Sequence, residues 1–327
     1  MPFQILSLSG GGYLGLYTIT VLSELERGLG RPLASCFDLL AGTSVGGIIA
    51  LGLGLGRSPE EIKSAFEDNG SRIFSKRPAP RSRLGEHRDF LRSLFSSKYD
   101  GIALRDTIVR VVGEETRLRD LERPVVVPAV NLTKGKPQVF KTDHHADFRR
   151  DHRLHVVDVA LATSAAPTYF PLAEIGDELY ADGGLFANSP DLLALHEAEH
   201  FFDASTSDIR MLSVGTTTTQ FSFSHTGGRR LGIWQWARRL APTLLSSQQM
   251  DISYIVQHKL GARYIRIDEV QSKEQERDLG LDVATTNAKR TIRGLASGSV
   301  QAAVNQDTLR QILAHEAPDP KFYHREA

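Results

Sequence analysis

One cysteine, Cys36, in 327 residues leaves no partner for an intrachain disulfide. Packing and hydrogen bonding must therefore hold the chain together, a reducing compartment suits it, and Cys36 reads as a small core residue. Net charge is missing as well: 39 basic and 39 acidic residues cancel. No overall field draws the protein to DNA, RNA or an anionic membrane, so any such attraction must come from local patches. The first residues, Met1-Pro2-Phe3-Gln4, lack the basic region and small-residue cleavage site of a secretory signal, and the cytosol is the expected location. Only residues 37–56 approach the length of a membrane-spanning helix. Asp38 and the glycines around Thr43 and Ser44 make that stretch read as a turn joining two buried elements.

What is present is alternation. Residues 3–8 form a short apolar run closed by Ser9-Gly10-Gly11-Gly12, a buried strand entering a glycine loop. Leu16, Ile19, Leu22 and Leu25 then recur at helical period up to Gly28. A second strand is expected over 37–41 and a helix over 45–55. Ser58-Pro59-Glu60-Glu61 is a helix start with a capping box, predicting a helix to about residue 74. Further strands are expected over 124–132, 138–141, 179–181 and 209–214, and helices over 156–163 and 190–201. Strands alternating with helices imply an α/β fold with a mainly parallel, buried sheet and helices on both faces. After about residue 215 the pattern turns mostly helical, with a charged loop over 271–278 and an alanine-rich helical stretch over 282–314. With 41% hydrophobic residues and no convincing linker, the chain reads as one domain, a core over 3–215 with a helical elaboration over 216–327.

Several patterns could carry chemistry. Gly42-Thr43-Ser44-Val45-Gly46 fits the elbow Gly-x-Ser-x-Gly, in which a sharp strand-to-helix turn presents a nucleophilic serine. Gly10, Gly11 and Gly12 offer unobstructed backbone N–H groups suited to a developing oxyanion. The same glycines, with Gly15, fit a dinucleotide-binding fingerprint. That reading wants an acidic residue at the end of the next strand, about 20 residues on, where this chain has Gly42-Thr43-Ser44. Asp182, followed by Gly183-Gly184, is a carboxylate that backbone and substrate can approach closely, and desolvation would let it serve as a base. His196-Glu197-Ala198-Glu199-His200 matches a zinc-hydrolase motif but has no evident third ligand. His144, His145, His152 and His155 lie in a polar stretch and read as surface residues.

In order along the chain, these residues resemble the patatin-like phospholipases: a Gly-Gly-Gly-x-x-Gly loop after the first strand, a Gly-x-Ser-x-Gly elbow about 30 residues later, and a distant Asp-Gly-Gly. The stretches Ala162-Thr163-Ser164-Ala165-Ala166-Pro167 and Asn188-Ser189-Pro190 strengthen the resemblance. It implies a three-layer α/β/α fold and a Ser–Asp dyad in which Ser44 attacks an ester of a membrane phospholipid and Asp182 is the base. Gly10, Gly11 and Gly12 then form the oxyanion hole, Gly42, Gly46, Gly183 and Gly184 support the turns, and neither metal nor cofactor is needed. Ser9 departs from the aspartate that many relatives carry before the glycines.

The overall layout also resembles bacterial antiphage effectors that a cyclic oligonucleotide switches on. That resemblance implies a nearly inactive resting enzyme, with the nucleotide site in the C-terminal helical region or in the basic loop 76–92. The segment 229–240, with Trp234, Trp236 and four arginines, suits a helix lying on anionic lipid, hence peripheral association with the inner membrane. A homo-oligomer stays open, as do two alternatives: a zinc hydrolase using His196, Glu197 and His200, and a non-catalytic lipid- or nucleotide-binding module.

Overall fold

The computed structural model describes residues 2–74, 97–217, 232, 236 and 239–325. The basic loop 76–92 and most of segment 229–240 lie outside the described residues. Among the described residues eight strands form one sheet: β1 Phe3–Leu8, β2 Leu39–Gly42, β3 Val125–Asn131, β4 Lys136–Lys141, β5 Ala173–Ile175, β6 Glu178–Asp182, β7 Ile209–Val214 and β8 Tyr264–Ile267. Their order is β5-β6-β3-β2-β1-β7-β8, with β4 paired to β3. The pairs joining β3, β2, β1, β7 and β8 are all parallel.

Alternation along β1 shows why the sheet needs cover on both faces. Leu6 and Leu8 belong to a large core with helices α1 (Gly15–Leu29), α2 (Val45–Gly54), α3 (Pro59–Phe74), α4 (Ile102–Val112) and α5 (Val156–Ser164). Ile5 points the other way, into a smaller core built with α7 (Asp191–Phe201) and α8 (Leu240–Leu260). The short α6 (Gly184–Ala187) follows β6. The expected helical stretch over 282–314 resolves into α9 (Thr286–Ala303) and α10 (Asp307–Ala314). Thr285 caps α9 by accepting the Ala288 N–H, and α9 joins the core through Ile292 and a Tyr17–Ser299 hydrogen bond of 2.7 Å. The capping box at α3 is formed: Ser58 N–H donates to Glu61 at 2.8 Å, and Glu61 N–H to Ser58 Oγ at 3.3 Å. Cys36 is fully buried.

Three details differ from the sequence reading. The mostly helical region after residue 215 also contributes a strand, β8, which continues the sheet beyond β7. Ile102–Val112 is a helix with no counterpart among the expected elements. The histidines read as surface residues include two buried ones, His144 at 4% exposure and His152 at 1%. Chain folded back over the polar stretch accounts for this. His144 bonds Thr142 and Glu197 and stacks on Phe202, while Tyr323 and His324 of the C-terminal tail donate to Asp143.

One feature of the topology positions the site. β4 occupies one edge of β3 from Val126 to Asn131. The other edge is shared: β2 pairs with Val125 and Val126 in parallel, and β6 pairs with Ala129, Val130 and Asn131 in antiparallel. Strands running in opposite senses along one edge present their C-terminal ends to each other. The residue two past β2 is Ser44, and the last residue of β6 is Asp182.

Candidate active site

Ser44 has φ 55° and ψ −125°, a conformation that costs a non-glycine residue about 1–3 kcal/mol and needs support from its surroundings. The support is steric and polar. A Cβ on Gly42 would fall 2.1 Å from the Gly46 carbonyl oxygen, and one on Gly46 would fall 2.4 Å from the Leu8 carbonyl oxygen. Any larger residue at either position would force the turn apart. The Ser44 N–H donates to Thr163 Oγ1 at 3.0 Å, and that hydroxyl donates to the Pro128 carbonyl at 2.7 Å. Pro128 has no N–H for the ladder, so it sits where β2 has ended and β6 has not yet begun.

Asp182 meets Ser44 here. The Ser44 hydroxyl donates to Asp182 Oδ2 at 2.7 Å, and Asp182 Oδ1 accepts the Gly184 N–H at 2.7 Å. Its backbone is fixed from the same segment: Asp182 N–H donates to Ala165 O at 3.0 Å and Gly183 N–H to Thr163 O at 3.3 Å. A Cβ on Gly183 would fall 2.2 Å from the Pro128 carbonyl oxygen, which explains the glycine after the aspartate. Asp182 is 6% exposed. Burial pushes its carboxyl up to about 6, against the two hydrogen bonds that favour the ionised form.

The glycine loop lies against the elbow, since a Cβ on Gly10 would come 3.2 Å from Ser44 Cβ and 2.6 Å from Asn188 Oδ1. Asn188-Ser189-Pro190 clamps it: Gly10 N–H donates to the Asn188 carbonyl at 2.9 Å, and Thr216 Oγ1 donates to Gly10 O at 3.1 Å. The Gly10 amide is thereby occupied, whereas the amides of Gly11 and Gly12 have no hydrogen-bond partner among the described residues. Gly12 has φ +56°, and a Cβ there would meet the Leu281 carbonyl oxygen at 2.3 Å. Leu281 also accepts the Tyr13 N–H at 2.8 Å, so the C-terminal region packs directly on the loop.

Beneath the loop lies a buried polar cluster that sequence reasoning missed. Arg266 of β8 reaches Asp268 and Ser213 at 2.7 Å each and comes within 3.5 Å of the Ser9 and Ser189 hydroxyls. Asp191, fully buried, accepts from Ser7 at 2.6 Å, Ser213 at 3.0 Å and Tyr264 at 2.6 Å. Ser9 thus stands where a carboxylate would be a third anion beside a guanidinium already flanked by Asp268 and Asp191. The lone Arg in Tyr-Ile-Arg-Ile was the available signal.

The zinc-like motif is split by its helix. Glu197 faces inward and binds Lys141 Nζ at 2.6 Å and His144 at 2.9 Å, while His196 and His200 stack on the exposed side with ring centroids 5.3 Å apart. Among the described residues no group of three or more His, Cys, Asp or Glu side chains is placed to hold a metal ion.

An elbow serine bonded directly to a buried carboxylate beside a glycine loop, on a mainly parallel α/β sheet, defines a serine-hydrolase class without an imidazole intermediary. The chain belongs to the patatin-like phospholipase family, whose pattern matches residues 6–195. It is 41% identical over 325 residues to a cGAMP-activated phospholipase of Pseudomonas aeruginosa, strain BWHPSA011 / Pa011, covering 98% of this chain and 95% of that protein. It is 37% identical over 345 residues to a cGAMP-activated phospholipase of Vibrio cholerae serotype O1, covering 98% and 96%. A cUMP-AMP-activated phospholipase of Escherichia coli is 29% identical over 223 residues, covering 65% of this chain and 64% of that protein.

Proposed function

We propose that this chain releases fatty acids from membrane phospholipids through an acyl-enzyme on Ser44, with Asp182 as the base, and that a cyclic nucleotide switches it on. The observation that carries the chemistry is the 2.7 Å hydrogen bond from Ser44 Oγ to Asp182 Oδ2. As Oγ attacks the ester carbonyl carbon, its proton passes to Asp182. The tetrahedral oxyanion is held by the unoccupied Gly11 and Gly12 amides, and the N-terminal end of α2 adds a positive dipole. Collapse expels the lysophospholipid oxygen, which takes the proton back from Asp182. Water then attacks the acyl carbonyl, again delivering its proton to Asp182, and Asp182 returns that proton to Ser44 Oγ as the fatty acid leaves.

A surface for lipid supports this reading. No helix among the described residues is long and apolar enough to cross a membrane, so contact would be peripheral. On α8, Leu240, Leu244, Met250 and Tyr254 are all exposed and fall within about a third of the helix circumference. Gln248 of the same helix donates to the Leu185 carbonyl, three residues past Asp182, which ties α8 to the segment that follows the dyad.

The cyclic-nucleotide switch rests on the relatives named above, two activated by cGAMP and one by cUMP-AMP. Fatty-acid release from mixed phosphatidylethanolamine and phosphatidylglycerol vesicles tests both halves. Wild type should be nearly silent alone and active with cGAMP or cUMP-AMP, and Ser44→Ala and Asp182→Ala silent in both conditions. Release by Ser44→Ala would overturn the chemistry, and full activity of wild type without nucleotide would overturn the switch.

A further inference from the structure

A pocket of about 650 Å³ opens at the far ends of the two helices that follow the glycine loop and the Ser44 elbow. Helix α1 starts at Gly15, directly behind the glycine loop, and α2 starts at Val45, directly behind Ser44. The chain just past both C-terminal ends lines the pocket: Gly30 and Arg31 after α1, Gly56 and Arg57 after α2. Gly30 and Gly56 hold φ of +71° and +74°, which lets each helix stop and turn at the rim. Arg293 of α9, from the C-terminal region, adds a further wall.

Charge identifies the ligand class. Arg27, Arg31, Arg57, Lys63 and Arg293 line the pocket against Glu26 and Glu60, a formal excess of three positive charges. Both carboxylates are spent within the protein: Glu26 accepts the Leu33 N–H at 2.8 Å, and Glu60 accepts Lys63 Nζ at 2.6 Å together with the Ser23 hydroxyl. Arg31 is committed to Ser35 and to the carbonyls of Leu313 and His315. The guanidiniums of Arg27 and Arg57 make no hydrogen bond and no close ion pair among the described residues, and feel only the longer-range pull of Glu60 and Glu61 respectively. The carbonyl ends of α1 and α2 add roughly half a negative charge each, and the N-terminus of α3 returns about half a positive one, which leaves the cationic excess standing. Two guanidinium forks matched to phosphate oxygens, in a volume within the roughly 300–1,000 Å³ of small-molecule sites, fit a ligand with more than one phosphate group.

We propose that this pocket binds a phosphodiester anion and, resting on the activation reading above, that a cyclic dinucleotide seated there acts on the glycine loop and the Ser44 elbow through α1 and α2. The pocket draws on both ends of the chain, so the activator would link the C-terminal helix α9 to the core.

Calorimetric titration of the purified full-length protein with cGAMP, inorganic phosphate and glycerophosphoethanolamine tests this. It compares wild type with the surface double variant Arg27→Ala/Arg57→Ala, whose melting temperature is measured alongside. The expected result is cGAMP binding by wild type, weakened at least tenfold in the double variant at unchanged melting temperature, with the headgroup analogue and phosphate much weaker. Equal cGAMP binding by both proteins would overturn the pocket assignment while leaving nucleotide activation intact. Binding of only phosphate or glycerophosphoethanolamine, lost in the double variant, would uphold the anion site and overturn the activator reading. No binding of any of the three to wild type would overturn the inference.

Discussion

Ser44 and Asp182 are 138 positions apart in sequence, yet they meet across a 2.7 Å hydrogen bond because β2 and β6 end toward each other along one edge of β3. No third side chain stands between them. The carboxylate is held by the Gly184 N–H on one oxygen and is open to the serine proton on the other. Its buried setting raises its basicity above that of a solvated aspartate.

The pH dependence follows. Only ionised Asp182 can accept the Ser44 proton, and its carboxyl is pushed up to about 6 by burial. Measured on short-chain soluble esters, kcat/KM should be level above pH 7 and fall about tenfold per unit below pH 6. An acid limb below pH 4.5 would contradict the assignment.

Stability should respond in the opposite sense. A carboxyl raised from 3.8 to about 6 in the fold favours the native state fully only below pH 4, and that contribution is lost as pH rises through 6. The cost of the buried charge at neutral pH is about 3 kcal/mol. Asp182→Asn keeps the shape without the charge, its oxygen accepting the Gly184 N–H and its NH2 donating to Ser44 Oγ in place of the reverse bond. It should melt higher than wild type at pH 8, with the difference vanishing near pH 4, while activity is lost. A variant less stable than wild type at pH 8 would count against the desolvated carboxylate.

Two glycines separate steric need from mere presence. A Cβ on Gly46 would sit 2.4 Å from the Leu8 carbonyl oxygen, a backbone atom that cannot step aside, whereas one on Gly28 meets nothing within 4 Å. Gly46→Ala should cost more than about 2 kcal/mol in denaturant unfolding and abolish activity. Gly28→Ala, in α1, should stabilise by about 0.4–1 kcal/mol with activity retained.

Thr163 is a positioning residue, since its hydroxyl ties the Ser44 N–H to the Pro128 carbonyl. Thr163→Val should lower kcat about tenfold or more with KM little changed, and Thr163→Ser should restore most of it. Full activity in Thr163→Val with loss in Thr163→Ser would point to packing of the methyl group instead.

Much of this was legible in the sequence because local constraint writes itself locally. β1 and β7 occupy the residues expected of them, since buried parallel strands read as apolar runs bounded by turns. Gly42, Gly46 and Gly183 were visible because backbone crowding leaves no other residue possible, Gly10 because the Asn188 and Ser44 side chains crowd it, and Ser44 stands among them. What escaped depends on distant partners or on brevity. β5 has three residues and β8 four, too short to display a period, and β8 follows a long helix. Asp191 and Arg266 are ordinary letters in sequence, and Thr163 was visible only as part of a family-like stretch; all three acquire their roles when the fold brings Ser213, Asp268 and Ser44 beside them. His144 looked like surface because its neighbours are polar, while its cover comes from Phe148, Phe202 and the buried Glu197.

The central claim is that Ser44 Oγ is the atom that bonds to substrate. Intact-protein and peptide mass spectrometry after treatment with a methyl alkyl fluorophosphonate, in the presence of cGAMP, reads this directly. One phosphonyl adduct on the peptide holding Ser44, slowed at least a hundredfold in Asp182→Asn and absent in Ser44→Ala, is the predicted result. An adduct that persists in Ser44→Ala, or that maps to another residue of wild type, would contradict it.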